Sequence, residues 1–117
     1  MPFRYRKFKV YQDAISFHGK VVRLTKNFPI DFKHLTDQMK RATLSIVLNI
    51  AEGSAKSSDK DFGRFIGMSL GSTDEVVAGF EVAMTEKLVN LEQFTQIEMD
   101  ALEISNQLGG LLKKLRS

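Results

Sequence analysis

His18 and His34 are the only histidines in the chain, and cysteine is absent, so thiolate nucleophiles, disulfides and cysteine-held zinc are excluded. No HxxxH or ExxH spacing surrounds either histidine. The di-iron site of some helical bundles requires two ExxH motifs, so no metal centre is expected. His18 falls on an apolar helix face, where a hydrogen-bonded core histidine is the expected role. Gly53-Ser54-Ala55-Lys56-Ser57 has residue types found in phosphate loops. A Walker loop needs glycine directly before its lysine and a strand before the loop, and neither is present. The carboxylates of Asp74 and Glu75 are adjacent, and neighbours on a helix diverge by about 100°, too far apart to share a proton. With no nucleophile motif around Ser, Lys or His, the chain is expected to be no enzyme and to carry no cofactor.

Two other patterns can bind. The first is a basic N-terminal arm, about residues 1–9, in which Arg4, Arg6, Lys7 and Lys9 alternate with Phe3, Tyr5 and Phe8. Cations neutralise phosphate and aromatics stack on bases, a combination suited to single-stranded nucleic acid. The alternative is that the aromatics dock the arm while the cations are solvated. The second is a polar stripe, Gln38, Arg41, Ser45, Asn49, Glu52 and Lys56, on an otherwise apolar segment. There a structural role, setting how subunits register, competes with ligand contact.

The elements that must position these residues are helical. Apolar residues make up 43% of 117 residues and charged residues 26%, which suits one globular domain spanning 1–117. No stretch reaches the roughly 18 unbroken apolar residues of a membrane helix, and none has signal-peptide form; a soluble, cytoplasmic protein is expected. Val10, Phe17, Val21 and Leu24 recur at helical spacing until Phe28-Pro29 stops a helix over about 10–27. A second helix, capped by Asp31 or Thr36, runs through Leu35, Met39, Ala42, Ile46 and Ile50 to a frayed end at Gly53. Leu44, Val47, Leu48 and Ala51 give it a second apolar face, which a neighbouring subunit would cover. The third helix opens at Ser58 and runs to about Val89, with Ile66, Leu70, Thr73, Val77, Phe80 and Met84 as its seam. Gly63, Gly67, Gly71 and Gly79 are expected to share one of its faces and admit a close helix neighbour. Asn90 caps or breaks ahead of the last helix, whose seam is Phe94, Ile97, Ala101, Ile104, Leu108, Leu111 and Leu115. Gly109-Gly110 is expected to loosen its end. Short links between four such segments predict an all-α, antiparallel up-and-down four-helix bundle.

Net charge is only +3, but residues 1–60 hold twelve Lys/Arg against five Asp/Glu, and residues 61–117 hold five against nine. This predicts a basic end and an acidic end, serving either an anionic partner or subunit-to-subunit attraction.

Several strings carry a family resemblance: Phe8-Lys9-Val10-Tyr11-Gln12, Phe28-Pro29, Gln38-Met39-Lys40-Arg41-Ala42, Ser45-Ile46, Asn49-Ile50-Ala51-Glu52-Gly53, Lys60-Asp61-Phe62, Phe65 and Gly71-Ser72. Together they resemble the bacterial four-helix proteins encoded in intervening sequences of 23S ribosomal RNA genes, with the accessory variability protein of diversity-generating retroelements as a relative. Tyr11, Lys40 and Leu48 stand where that pattern commonly has tryptophan, arginine and proline, and Leu48 should leave the second helix straighter. The resemblance implies a homopentamer. For the retroelement relative it also implies a basic surface that binds nucleic acid and a reverse transcriptase. The expected nucleic-acid-binding residues are Arg4, Arg6, Lys7, Lys9, Lys40, Arg41, Lys56 and Lys60. The expected oligomer interface is Leu44, Val47, Leu48, Asn49, Ala51 and Glu52. A protein-interaction scaffold with no nucleic-acid role is the alternative.

Overall fold

The computed structural model describes residues 2–117; Met1, first residue of the expected arm, lies outside them. Four helices account for most of the chain: α1 (Lys9–Thr25), α2 (Lys33–Ser54), α3 (Asp59–Thr85) and α4 (Leu91–Arg116). A 3-10 turn at Arg4–Lys7 precedes α1, and another at Ile30–Phe32 leads into α2. No strand occurs among the described residues. Each helix packs on its sequence neighbours, α4 closes back onto α1, and the diagonal pairs are not neighbours. The result is an up-and-down four-helix bundle, a rod of 44 × 21 × 20 Å. Cross-links confirm the antiparallel sense. From Asp13 to Lys20 on α1, the hydrogen-bonded partner retreats along α4 from Gln107 to Asp100.

Local chemistry explains where the helices start and stop. Ser58 accepts a bond from the Asp61 N–H (3.1 Å) and caps α3 as expected. Asn90 and Gln93 form a reciprocal capping box at the start of α4 (2.8 and 2.9 Å). Neither Asp31 nor Thr36 caps α2. Phe32 occupies that position without a side-chain cap, and the 3-10 turn bonds part of the entry instead (Phe32 N–H to Pro29 carbonyl, 2.9 Å). Helix α3 stops at Thr85, short of Val89, through a Schellman motif. The Leu88 N–H reaches the Ala83 carbonyl (2.8 Å), the Lys87 N–H reaches that of Met84 (3.0 Å), and Lys87 is left-handed (φ 61°). Lysine in a position that favours glycine conceals this stop from a reading of residue types.

The core is built from the expected stripes, with Phe17, Ile46, Ile50, Ile66, Phe80, Ile104 and Leu108 fully buried. On α3 the buried face is rotated from the anticipated seam. Ser69, Val76 and Ala83 are buried, while Leu70, Val77 and Met84 are only partly so. The small Ser69 draws α2 close, donating its hydroxyl to the Ile46 carbonyl (3.0 Å).

The glycines divide similarly. A four-residue step overshoots a turn by about 40°, so Gly63 and Gly79, sixteen residues apart, face different neighbours. A Cβ on Gly63 would touch Leu112 of α4, and one on Gly79 would overlap the end of Met39 on α2. Gly67 and Gly71 face open space. Gly53 does not fray α2: it is a buried contact point, where a Cβ would lie 2.7 Å from the Cβ of Phe65. Gly109-Gly110 leaves α4 unbroken to Arg116.

Candidate nucleic-acid interface

Up-and-down topology places the start of α1, the α2–α3 link and the end of α4 at one end of the rod. Arg4, Arg6 and Lys7 come there from the arm, Lys56 from the link, and Lys60 and Arg64 from the first turns of α3. The last turn of α4 adds Lys113, Lys114 and Arg116, which inspection of the sequence missed. Two clefts tie these segments together. One, of about 730 Å³, is lined by residues including Phe3, Arg4, Tyr5, Ala51, Glu52, Lys56 and Asp59. The other, of about 400 Å³, is bounded by Lys60, Gly63 and Arg64 of α3 and by Leu115 and Arg116 of α4. The nearby carboxylates, Glu52, Asp59 and Asp61, offset only part of this positive charge. A structural effect competes with ligand binding at α4, because cations in a last helical turn also complement the helix dipole by about 0.3–1 kcal/mol each.

The arm is docked on the bundle. Phe8 stacks on Phe62 at 6.4 Å between centroids, and Tyr5 packs on Tyr11 at 4.8 Å. The Arg4 Nε donates to the Ser54 carbonyl (2.9 Å), and its guanidinium lies 5.3 Å over Phe62. Of the three arm aromatics only Phe3 stays exposed. It lies beneath the Arg6 guanidinium (4.9 Å) and edge-on to Tyr5. Docking thus claims two of the three rings, and the arm is a shaped surface element.

The other expected binding residues separate. Lys9 is committed to Asp13 (2.7 Å) and Glu103 (3.3 Å) on the α1–α4 side. The hydrogen bond to Asp13, then that to Glu103, raises the Lys9 pKa. Lys9 in turn lowers that of Asp13, against the opposing effect of burial and with help from the Gln107 amide. Arg41 is exposed and Lys40 half-buried in the middle of α2. At 1.5 Å per residue they lie about 20 Å from the basic end.

The expected oligomer interface also divides. Leu44 and Leu48 are 43% and 55% exposed on the outer ridge of α2. Val47 is 8% exposed and belongs to the chain's own core, because its position turns it toward α1; it is corrected out of the set. Asn49 is tied to Ser45 (carbonyl 2.9 Å, hydroxyl 3.0 Å), and Ser45 bonds Ser72 of α3 (2.9 Å). With Gln38, which donates to Glu75, these residues put half of the polar stripe into the α2–α3 seam. Ala51 and Glu52 line the larger cleft. Two exposed apolar residues join the ridge unforeseen. Ile15 is 44% exposed one turn before His18, which bonds Thr43 (2.7 Å). Met68 is 41% exposed one turn before Ser72.

His18, as expected, is a hydrogen-bonded partner of the α1–α2 interface. Among the described residues no three His, Asp or Glu side chains converge as a metal site, and no helix is long and apolar enough to cross a membrane.

Comparison with known proteins adds two findings. Residues 6–110 match the family model described as 23S rRNA-intervening sequence protein. A solved structure described as a protein with unknown function from the S23 ribosomal protein family of Bacteroides thetaiotaomicron is similar, with a TM-score of 0.82 and 25% identity. The similarity covers 89% of this chain and 95% of that one. No match was found among curated proteins.

Proposed function

Because the chain belongs to the 23S rRNA-intervening sequence protein family, we propose that it is a non-enzymatic homo-oligomer whose basic end binds RNA or DNA. The observation that carries this reading is the convergence of cations from the arm, the α2–α3 link, the start of α3 and the end of α4. Each phosphate neutralised releases counterions, so log affinity for a single strand should fall by about 0.7 per contact against log salt. The test is fluorescence anisotropy with a labelled oligonucleotide across a salt series. Reversing Lys113, Lys114 and Arg116 to glutamate should weaken binding at least about tenfold and flatten the slope. Reversing Arg23 and Lys26, at the opposite end of α1, should do much less. Absent binding at low salt, or equal losses at both ends, refutes the proposal.

The ridge of Leu44 and Leu48, flanked by Ile15 and Met68, supports self-association. A pentamer is the state the family resemblance implies. The same ridge favours the second reading, a protein-interaction scaffold. That reading requires a partner to copurify and to stay bound after the basic end is reversed.

A further inference from the structure

We propose that the cleft between the arm and the α2–α3 link is a subsite for one unpaired nucleotide of a single-stranded RNA or DNA. This rests on the nucleic-acid reading above and narrows it to a strand with accessible base faces. The cleft, about 730 Å³, lies within the roughly 300–1,000 Å³ of small-ligand pockets. Its charges nearly cancel, with Arg4 and Lys56 set against Glu52 and Asp59. A bare phosphate therefore gains little there, and an occupant needs a further source of binding.

Phe3 supplies that source. It is 59% exposed at the cleft wall, with a left-handed backbone (φ 59°, ψ 34°). That conformation costs a residue with a Cβ roughly 1–2 kcal/mol. It is held by the Arg6 N–H bonded to the Phe3 carbonyl (3.1 Å) and by the Arg6 guanidinium over the ring. The ring is an oriented platform, and a base stacks on such a platform whatever its identity. Arg4 is oriented as well, because its Nε bond to Ser54 leaves its two terminal NH₂ groups to meet a phosphate oxygen. Lys56, held over Phe65 at 5.0 Å, supplies a second cation. Glu52 and Asp59 can accept from base N–H groups. In a duplex the base faces are stacked and the pairing edges occupied, so the cleft distinguishes single strands from double.

Full-length protein is titrated with a labelled single strand of about ten nucleotides, within the range of single-strand binding sites, and with its duplex. Phe3→Ala should weaken single-strand binding at least about fivefold, the loss expected from removing one stacked base. The salt slope should not change, because no phosphate contact is lost, and duplex binding should be unaffected. Phe3→Trp should restore the discrimination. Phe3 is exposed, so the variants should keep wild-type circular dichroism. Wild-type affinity of Phe3→Ala for the single strand, or equal weakening on single strand and duplex, overturns the subsite. So does loss of the discrimination when millimolar orthophosphate is added at constant ionic strength, since that marks a simple anion site. If Lys113, Lys114 and Arg116 still govern binding while Phe3 proves indifferent, only the subsite fails. Absence of all binding at low salt removes the subsite and the proposed function together.

Discussion

Gly53→Ala is a sharp test of how α2 meets α3. A Cβ built at Gly53 lies 2.7 Å from the Phe65 Cβ, 3.0 Å from Phe62 Cδ1 and 3.3 Å from the Phe62 carbonyl oxygen. Carbon atoms prefer about 3.5–4.0 Å, so the first contact is short by about an ångström. No rotamer change relieves it, because Phe65 Cβ is fixed to the α3 backbone. The helices must separate, and overpacking of this kind costs about 1–3 kcal/mol. Alanine recovers about 1 kcal/mol of helix propensity over glycine. The balance is a net loss of up to about 2 kcal/mol.

Gly67→Ala and Gly71→Ala meet nothing within 4 Å and should each gain about 0.5–1 kcal/mol. Gly79→Ala falls between, because the atoms in its way are the flexible end of Met39. Urea denaturation reads all four, with midpoints shifting at constant m. Gly53→Ala at or above wild-type stability, with Gly67→Ala showing no gain, would refute the reasoning.

Lys87→Gly should stabilise by about 0.5–1 kcal/mol, since glycine removes the left-handed cost at the end of α3 but loses more entropy on folding. A lower thermal midpoint would contradict the Schellman stop. Asp13→Asn probes the Lys9–Asp13–Glu103 cluster. The Asp13 pKa is depressed in the fold, chiefly by the hydrogen bond from Lys9. Its contribution is therefore complete above the ordinary carboxylate value of 3.8 and disappears as pH falls through the lower folded value. The variant should lose under about 1 kcal/mol at neutral pH, as for exposed pairs, and the gap to wild type should close in acid denaturation curves. Light scattering should give a mass several times 13.2 kDa. The double variant Leu44→Glu, Leu48→Glu should lower that mass while keeping its helical circular dichroism, and a wild-type monomer at micromolar concentration would remove self-association.

Helix number, order and most core positions were legible because amphipathic periodicity is a local property. Leu35, Met39, Ala42, Ile46 and Ile50 all recur at one pitch, and all are buried. The Ser58 and Asn90 caps were legible for the same reason, since a cap acts within three residues of itself. What failed depended on atoms distant in sequence. The residue types around Val47 do not reveal that α1 covers it while Leu48 stays outside. Gly53 resembles a helix terminator until Phe62 and Phe65 are brought against it.

The candidate interface follows the same rule. By composition the sequence determined a basic first half, an aromatic and cationic arm, and four helices with short links. Only the tertiary structure decided that the arm docks through Tyr5 and Phe8, that Phe3 remains exposed, and that Lys9 is spent on carboxylates. It also brought Arg116, from the acidic half of the chain, alongside Lys60. The physical reason is that helix formation is governed by bonds four residues apart, whereas a surface is assembled wherever antiparallel packing sets helix ends side by side.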